Sequence, residues 1–334
     1  MLSFIFHKNT FVDFLFGLQY NLCKAFLIGD KMQGRYYSLN EYLKNTFGEK
    51  VYKLSLDLGL SCPNRDGTLD TRGCIFCHNG SSHFAESGEN TEKQIENAKK
   101  RIQNKTDARK FIAYFQSYTN TYAPTDFLEK SFNKAMEKPE IVGISIGTRP
   151  DCLPPEILDM LERLNKYKPV WVELGLQTAN ENTAKYIRRC YMNSVYENAV
   201  KELKKRGITV ITHIIIGLPG ETKSHVLNTV DFAVNSGTDG IKLQLLHILK
   251  DTDLYEDYKK GLVKPLSIEE YMDILFECIE RIPQNVVIHR LTGDAPKKYL
   301  VEPLWSADKK TVLNTINREM EKRNIIQGKK EVQL

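Results

Sequence analysis

No run of 18 consecutive apolar residues occurs in this 334-residue chain, which argues against a membrane-spanning helix. A phosphate loop is also missing. Neither G-x-G-x-x-G nor a Walker pattern follows any strand-like run, so a nucleotide-binding doubly wound sheet has no support. Charge of one sign is in small excess: 47 Lys and Arg stand against 42 Asp and Glu, leaving +5. Its placement says more than its size. From His289 onward ten basic residues face six acidic ones, so +4 of the surplus lies in the last seventh of the chain, as suits a polyanionic partner or a solvated helical face. A secreted disulfide framework is absent too. The seven cysteines are odd in number and three of them crowd into sixteen residues, which favours a reducing compartment and a metal or redox role.

The first 31 residues lack the marks of a signal peptide. They are aromatic-rich but broken by His7, Lys8, Asp13 and Lys24, with no clean apolar run before a small-residue cleavage site. We expect residues 1–31 to be a non-native or poorly ordered extension ahead of a start at Met32, and the protein to be cytoplasmic.

What the chain does have is a rhythm. Apolar runs at 52–58, 110–116, 141–147, 170–177, 208–216 and 240–246 alternate with helical patterns at 91–105, 125–137, 154–166, 178–206, 222–236 and 267–282. Near-continuous apolar strands between amphipathic helices predict a parallel sheet covered by helices. Polar residues recur at strand C-termini: Gln116, Thr148 and Arg149, Gln177, Gly217 to Gly220, and His247. That is where a barrel keeps its chemistry, so the predicted fold class is α/β, a partial (β/α)6 TIM-like barrel with a C-terminal helical extension. A run at 286–291 is a candidate seventh strand. The expected division is barrel over 32–285, an extension closing it over 286–326, and a tail over 327–334.

The chemistry centres on Cys62, Cys74 and Cys77, in a loop directly after the first strand-like run. Thiolates are soft ligands for zinc or iron–sulfur clusters. A structural zinc needs a fourth ligand, for which His78, Cys152 or Cys190 are the candidates. Cys74 to His78 also fits the C-x-x-C-H haem pattern, and metal-free cysteines are a further reading. A 4Fe–4S cluster on three thiolates leaves one iron open, and an open position marks a catalytic site.

Three cysteines after the first strand of a partial barrel resemble the radical S-adenosylmethionine (SAM) superfamily. The usual spacing there is C-x3-C-x2-C, whereas this chain has C-x11-C-x2-C. That departure resembles the branch related to the radical SAM subunit of Elongator, and within it the YtqA/YhcC-type (MnmL-like) proteins. The stretches that carry the resemblance include LSLDLG at 54–59, CPNRDG at 62–67, GCIFC at 73–77, TNTYAP at 119–124, GTRPD at 147–151, ELGLQ at 173–177, HIIIGLPG at 213–220 and HRLTGD at 289–294.

The resemblance implies a 4Fe–4S cluster on Cys62, Cys74 and Cys77 with SAM on the open iron, reductively cleaved to a 5′-deoxyadenosyl radical. It implies a SAM carboxylate contact from Arg189, twelve residues after Gln177, with Arg188 as the fallback. Gln177 is expected at the SAM ribose, Glu173 at its amino or ribose end or paired with an arginine, and Thr148 and Arg149 at cofactor or substrate. His247, His289, Arg290 and Asn120 are the substrate candidates. The implied substrate is transfer RNA, with conversion of a wobble 5-carboxymethylaminomethyl uridine to 5-aminomethyl, and the implied electron donor is a flavodoxin or ferredoxin. A basic stretch with Tyr299 and Trp305 interleaved is the candidate RNA surface. The rivals are a radical SAM enzyme acting on a small molecule or tetrapyrrole, and a non-catalytic iron–sulfur or zinc module. Cys23, Cys152, Cys190 and Cys278 are scattered, which argues against a second cluster.

Overall fold

The computed structural model describes residues 32–78, 83–88 and 90–330. The expected extension at 1–31 lies outside the described residues, as do residues 331–334 of the expected tail. Seven strands form one parallel sheet, in chain order: β1 (Val51–Leu56), β2 (Lys110–Phe115), β3 (Ile141–Thr148), β4 (Val170–Gln177), β5 (Thr209–Ile216), β6 (Gly240–Leu245) and, after a short excursion, β8 (Val287–Arg290). Helices return the chain between them: α2 (Thr91–Ile102), α3 (Thr125–Met136), α4 (Pro155–Tyr167), α5 (Glu181–Tyr186) with α6 (Asn193–Lys205), α7 (Lys223–Asn235), and α9 (Ile268–Arg281). This is the curled, open barrel that the alternation predicts, with the candidate run at 286–291 supplying the seventh strand against β6.

Local chemistry sets the ends. Pro154 and Pro155 open α4, where fixed φ suits a first turn. Ser267 and Glu270 close a reciprocal capping box on α9. The outward faces of the strands, with Leu54, Phe115, Ile144, Val172, Val210 and Leu243, pack against Phe132, Leu161, Tyr196 and Tyr271 of the helices in one continuous core.

The inward faces build the lumen. At its floor, Val51, Ile112, Val142, Trp171 and Ile211 meet Leu43 of α1 (Leu39–Phe47), with Leu39, Tyr42 and Phe47 packed alongside. That helix touches both β1 and β8, so it plugs the side the open sheet leaves unpaired. Its N-cap is Ser38, whose hydroxyl accepts from Glu41 N at 3.2 Å.

The C-terminal region also serves the barrel. Val312, Ile316 and Met320 of α10 (Lys309–Lys322) join the main core, and the Trp305 indole donates to Leu266 O at 3.0 Å beside Tyr271. Trp305 is therefore packing, not a free stacking face. The tail expected from 327 begins as an anchor. Buried Gln327 accepts from Tyr37 N at 2.8 Å and donates to Pro283 O and Val286 O at 2.7 and 2.8 Å. Unforeseen elements are α8 (Asp253–Lys259) and a two-stranded antiparallel ribbon of β7 (Ile248–Leu249) and β9 (Leu300–Glu302).

Candidate active site

The cysteine loop leaves the C-terminal end of β1 and folds back on itself. Gly73 N donates to Asn64 O at 2.7 Å, so residues 65–72 leave and return across one hydrogen bond. Through that bond, the path from Cys62 to Cys74 runs over Pro63, Asn64 and Gly73 alone. The long C-x11-C spacing thereby acts as a three-residue spacing with an excursion inserted. Gly73 has φ +75°, and a Cβ there would lie 2.8 Å from Arg65 Nε, so only glycine fits. Arg65 Nη2 donates to Cys77 O at 2.5 Å, and Arg188 Nε to Gly73 O at 2.8 Å. Asn64 Nδ2 donates to Arg188 O at 2.7 Å and approaches Cys74 Sγ at 3.6 Å.

The three half-buried thiols line one cavity of about 1180 Å³ that runs from the loop down the lumen. Among the described residues, no three His, Cys, Asp or Glu side chains converge as ligands of a single ion. A cluster asks for something different, one thiolate on each of three separate irons, and the loop offers three thiols around one opening. Burial, then the neighbouring thiols, pushes the Cys74 thiol up to about 12, so a metal bound there would have to displace its proton.

The wall beside the thiols carries Thr148, Arg149, Gln177, Arg189 and Tyr191. Gln177 ends β4 with φ +66°, and its buried Oε1 has no partner. A side chain built on Gly175 would meet Gln177 Nε2 at 2.7 Å, so that glycine makes room for the amide. An unpartnered acceptor facing a cavity fits a hydroxyl-bearing ligand such as the SAM ribose. Asp151 holds Arg149 through Nε and Nη2 at 2.9 and 2.6 Å, with the guanidinium over the Tyr191 ring. The Thr148 hydroxyl is shared with Thr121 at 2.5 Å.

Three expectations change here. Arg189 is almost fully buried. It donates to Leu176 O (3.1 Å), Thr178 O (2.6 Å), Tyr191 O (2.9 and 2.7 Å), Glu181 Oε2 (3.2 Å) and Asn193 Oδ1 (3.0 Å). Its N–H groups are spent on the turn after β4, which leaves no fork for a carboxylate. Arg188, the fallback, donates through Nε to Gly73 O and pairs with Asp253, with its buried Nη2 left without a hydrogen-bond partner. Asn120 is fully buried behind the wall, where its Nδ2 ties Ser117 O to Gly147 O at 3.0 and 2.9 Å. Among the described residues Glu173 pairs with no arginine; its cationic partners are the lysines Lys53 and Lys242.

Those lysines form a layer that the sequence reading missed. Every second residue of a strand faces the lumen, and one such tier carries Lys53, Tyr114, Ser145, Glu173, His213, Lys242 and His289. The Glu173 carboxylate accepts from Lys53 Nζ (2.7 Å), Ser145 Oγ (2.6 Å), His213 Nε2 (2.7 Å) and Lys242 Nζ. Burial would raise this carboxyl, but Lys242 and Lys53 outweigh it and hold it well below the carboxylate range. Burial pushes Lys242 down to about 7 in spite of Glu173, and burial, then Lys242, pushes His213 down to about 4. His213 is thus neutral and donates through Nε2. The signal was present as two lysines and a glutamate inside apolar strand runs, a pattern costly to bury without partners. The other substrate candidates line the same cavity: His289 with Nδ1 unpartnered, His247 with Nε2 unpartnered, and Arg290 on Asp294 at 3.0 Å.

Fold and loop together define a partial barrel built around an open iron–sulfur cluster, and comparisons with known proteins agree. Residues 71–233 match the radical SAM superfamily and residues 238–322 its C-terminal domain. The protein YtqA of Bacillus subtilis is 43% identical over 299 residues, which is 88% of this chain and 92% of YtqA. The tRNA uridine(34) acetyltransferase of Methanocaldococcus jannaschii is 28% identical over 188 residues, 55% of this chain but only 34% of that enzyme. Among solved structures, the archaeal Elp3 of Methanocaldococcus infernus shares the fold with a TM-score of 0.64 at 18% identity. The match covers 83% of this chain and 64% of that one. The chain belongs to the radical SAM superfamily, in the branch that holds YtqA and the Elongator relatives. It is a radical SAM enzyme, and its cofactors are the superfamily's 4Fe–4S cluster and SAM. Among the described residues no helix is long and apolar enough to cross a membrane.

Proposed function

We propose that this enzyme modifies the wobble uridine of transfer RNA in the cytoplasm, converting a 5-carboxymethylaminomethyl side chain to 5-aminomethyl, with a flavodoxin or ferredoxin as electron donor. The observation that carries the reading is the likeness to a tRNA uridine(34) enzyme over 55% of the chain, with only a third of that enzyme matched. Cluster and SAM, when bound, supply a 5′-deoxyadenosyl radical able to take one hydrogen atom from carbon. The glycine-like methylene of the substrate suits that loss, because nitrogen and carboxylate stabilise the carbon radical. The carbon radical returns one electron to the oxidised flavodoxin or ferredoxin and loses a proton to solvent. Water then adds across the resulting carbon–nitrogen double bond, which breaks to the amine and glyoxylate.

The chain's own residues serve binding and water exclusion. Cys62, Cys74 and Cys77 would hold the cluster, and Gln177, Thr148 and Arg149 would line the SAM side. Tyr299 packs on His78 at 4.3 Å, beside Cys77, so the exposed Lys297 and Lys298 stand at the cavity mouth. They suit phosphate contacts that position RNA without reading its sequence. Arg290 and Lys309 share Asp294 at 3.0 and 2.7 Å and face the cavity instead. The test is nucleoside analysis of transfer RNA from a deletion strain. The expected result is accumulation of 5-carboxymethylaminomethyl uridine and loss of 5-aminomethyl-derived nucleosides. Unchanged wobble uridines would end the reading.

A further inference from the structure

We propose that Lys53 and Lys242 form a carboxylate-anchoring subsite in the deep layer of the lumen, holding the substrate side chain with its methylene directed up toward the cofactor; this rests on the wobble-uridine reading above. Four observations converge on it. The first is charge. Lys53 and Lys242 face a single carboxylate, Glu173, in a tier whose other members are Tyr114, Ser145, His213 and His289, so the tier holds two bases for one acid. Arg290 and Lys309 likewise share Asp294. A buried excess of bases either gives up a proton or takes an anion to match it, and an arriving carboxylate favours the second.

The second is the count of donors. An ammonium has three N–H groups. Lys53 uses two, on Glu173 and on Ser145 Oγ at 3.3 Å. Lys242 also uses two, on Glu173 and on Tyr114 Oη at 3.2 Å. Each keeps one N–H, and both side chains line the cavity. Glu173 already accepts four hydrogen bonds and can take no more of this load. The third is the neighbouring orphans. Gln116, two residues beyond Tyr114 and just past the C-terminal end of β2, has a buried Nε2 donor without a partner, and His289 has a buried ring nitrogen, Nδ1, without one. A donor without an acceptor calls for a ligand that supplies one.

The fourth is depth. Glu173 lies four residues before Gln177 on β4, so the tier stands below the strand end beside the thiols. The superfamily's cofactor carboxylate belongs at the open iron near the thiols, so it cannot also fill this tier. The substrate's carboxylate can, and the carbon next to it then points toward the mouth. The depressed Lys242 agrees, since Glu173 alone does not offset its burial.

The test uses the reconstituted holoenzyme with SAM, kept anaerobic, and free nucleosides in calorimetry. The wild type should bind 5-carboxymethylaminomethyluridine roughly tenfold or more tightly than 5-aminomethyluridine, as a charge-assisted pair implies. Lys53→Met and Lys242→Met should each lose that preference while binding 5-aminomethyluridine about as before. Each replacement leaves Glu173 with one lysine, a neutral pair that keeps the fold, which circular dichroism checks. Lys242→Arg keeps the charge and should keep the preference. Equal affinities in the wild type, or a preference that survives in both methionine variants, would overturn the subsite. Failure of the wobble reading shows separately, as unchanged transfer RNA nucleosides in the deletion strain.

Discussion

The mouth and the deep tier of one lumen are held together in opposite ways. At the mouth, loop backbone does the holding: Gly73 N on Asn64 O, and arginine forks on the carbonyls of Gly73 and Cys77. The thiols themselves stay half-exposed and carry little of the fold. In the deep tier, rigid strands hold the side chains and the side chains hold each other, with Glu173 at the centre. The lesson is a division of labour. Replacements at the mouth should remove function and spare stability, whereas loss of the tier's central carboxylate, which strands two buried lysines, should strike stability first.

The largest effect tests the first half of that statement. Cys62→Ala, Cys74→Ala or Cys77→Ala should each abolish SAM cleavage to 5′-deoxyadenosine and the iron–sulfur absorbance, because on the proposed ligand set each thiolate would hold its own iron. Thermal unfolding of the metal-free protein should move by only a few degrees, as for surface changes away from the core. A variant that still cleaves SAM would refute the ligand set, and a collapse of the apo fold would refute the division.

Next comes Glu173→Ala, which leaves Lys53 and Lys242 buried and facing each other. Breaking a buried pair from one side costs about 3–5 kcal/mol, readable in urea unfolding. Adding Lys53→Met to the same chain removes one of the stranded charges and should recover part of the loss. A loss within the scatter of surface mutations would mean that the tier is no keystone.

Acid probes the same tier. His213 has its pKa depressed to about 4, while the unfolded chain takes up that proton near 6.5. Between those values the unfolded state binds more protons, so stability present above pH 6.5 drains away as pH falls, by about 3 kcal/mol in all. Glu173, also depressed, adds a loss in the same direction below the usual carboxylate range. Urea midpoints at pH 7 and pH 4.5 measure the slope. His213→Gln keeps a donor for Glu173 and should remove its share of the slope, leaving that of His247 and His289, which burial also depresses; an unchanged slope would place the acid sensitivity elsewhere.

How legible these two regions were differs for a physical reason. Period and punctuation revealed the strands, since apolar runs such as IVGISIG and ITVITHIII must be buried on both faces, and Ser38 and Ser267 sit where caps belong. That Cys62, Cys74 and Cys77 share one cavity was legible because they crowd into one short loop after the first strand. Arg189 misled because a residue offset says where a side chain starts, not which carbonyls it finds; here Leu176 O, Thr178 O and Tyr191 O consumed it. Asn120 misled likewise, since a polar residue in a loop reads the same whether it faces a ligand or fastens Gly147. The tier escaped because its members come from seven strands spread between positions 53 and 289. Only the stagger of the strands around the lumen brings them together.

The smallest expected effect is the sharpest test of the mouth. If the hydrogen bond from Gly73 to Asn64 makes the long spacing equivalent to a short one, then the segment from Arg65 to Arg72 is an insertion. Deleting it joins Asn64 to Gly73 and leaves Cys62-Pro-Asn-Gly-Cys74, the usual superfamily spacing. The metal-free fold should hold, because the excursion is largely exposed and Leu69 at its tip is half-exposed. The deletion costs Arg65 on Cys77 O and Thr68 on Tyr122, contacts worth about 1 kcal/mol each, with up to about 3 for the charged one. Iron per chain after reconstitution should therefore stay close to the wild-type value. Loss of the cluster in a folded deletion protein would show that the excursion shapes the site, and that the thiols depend on more than the closing bond.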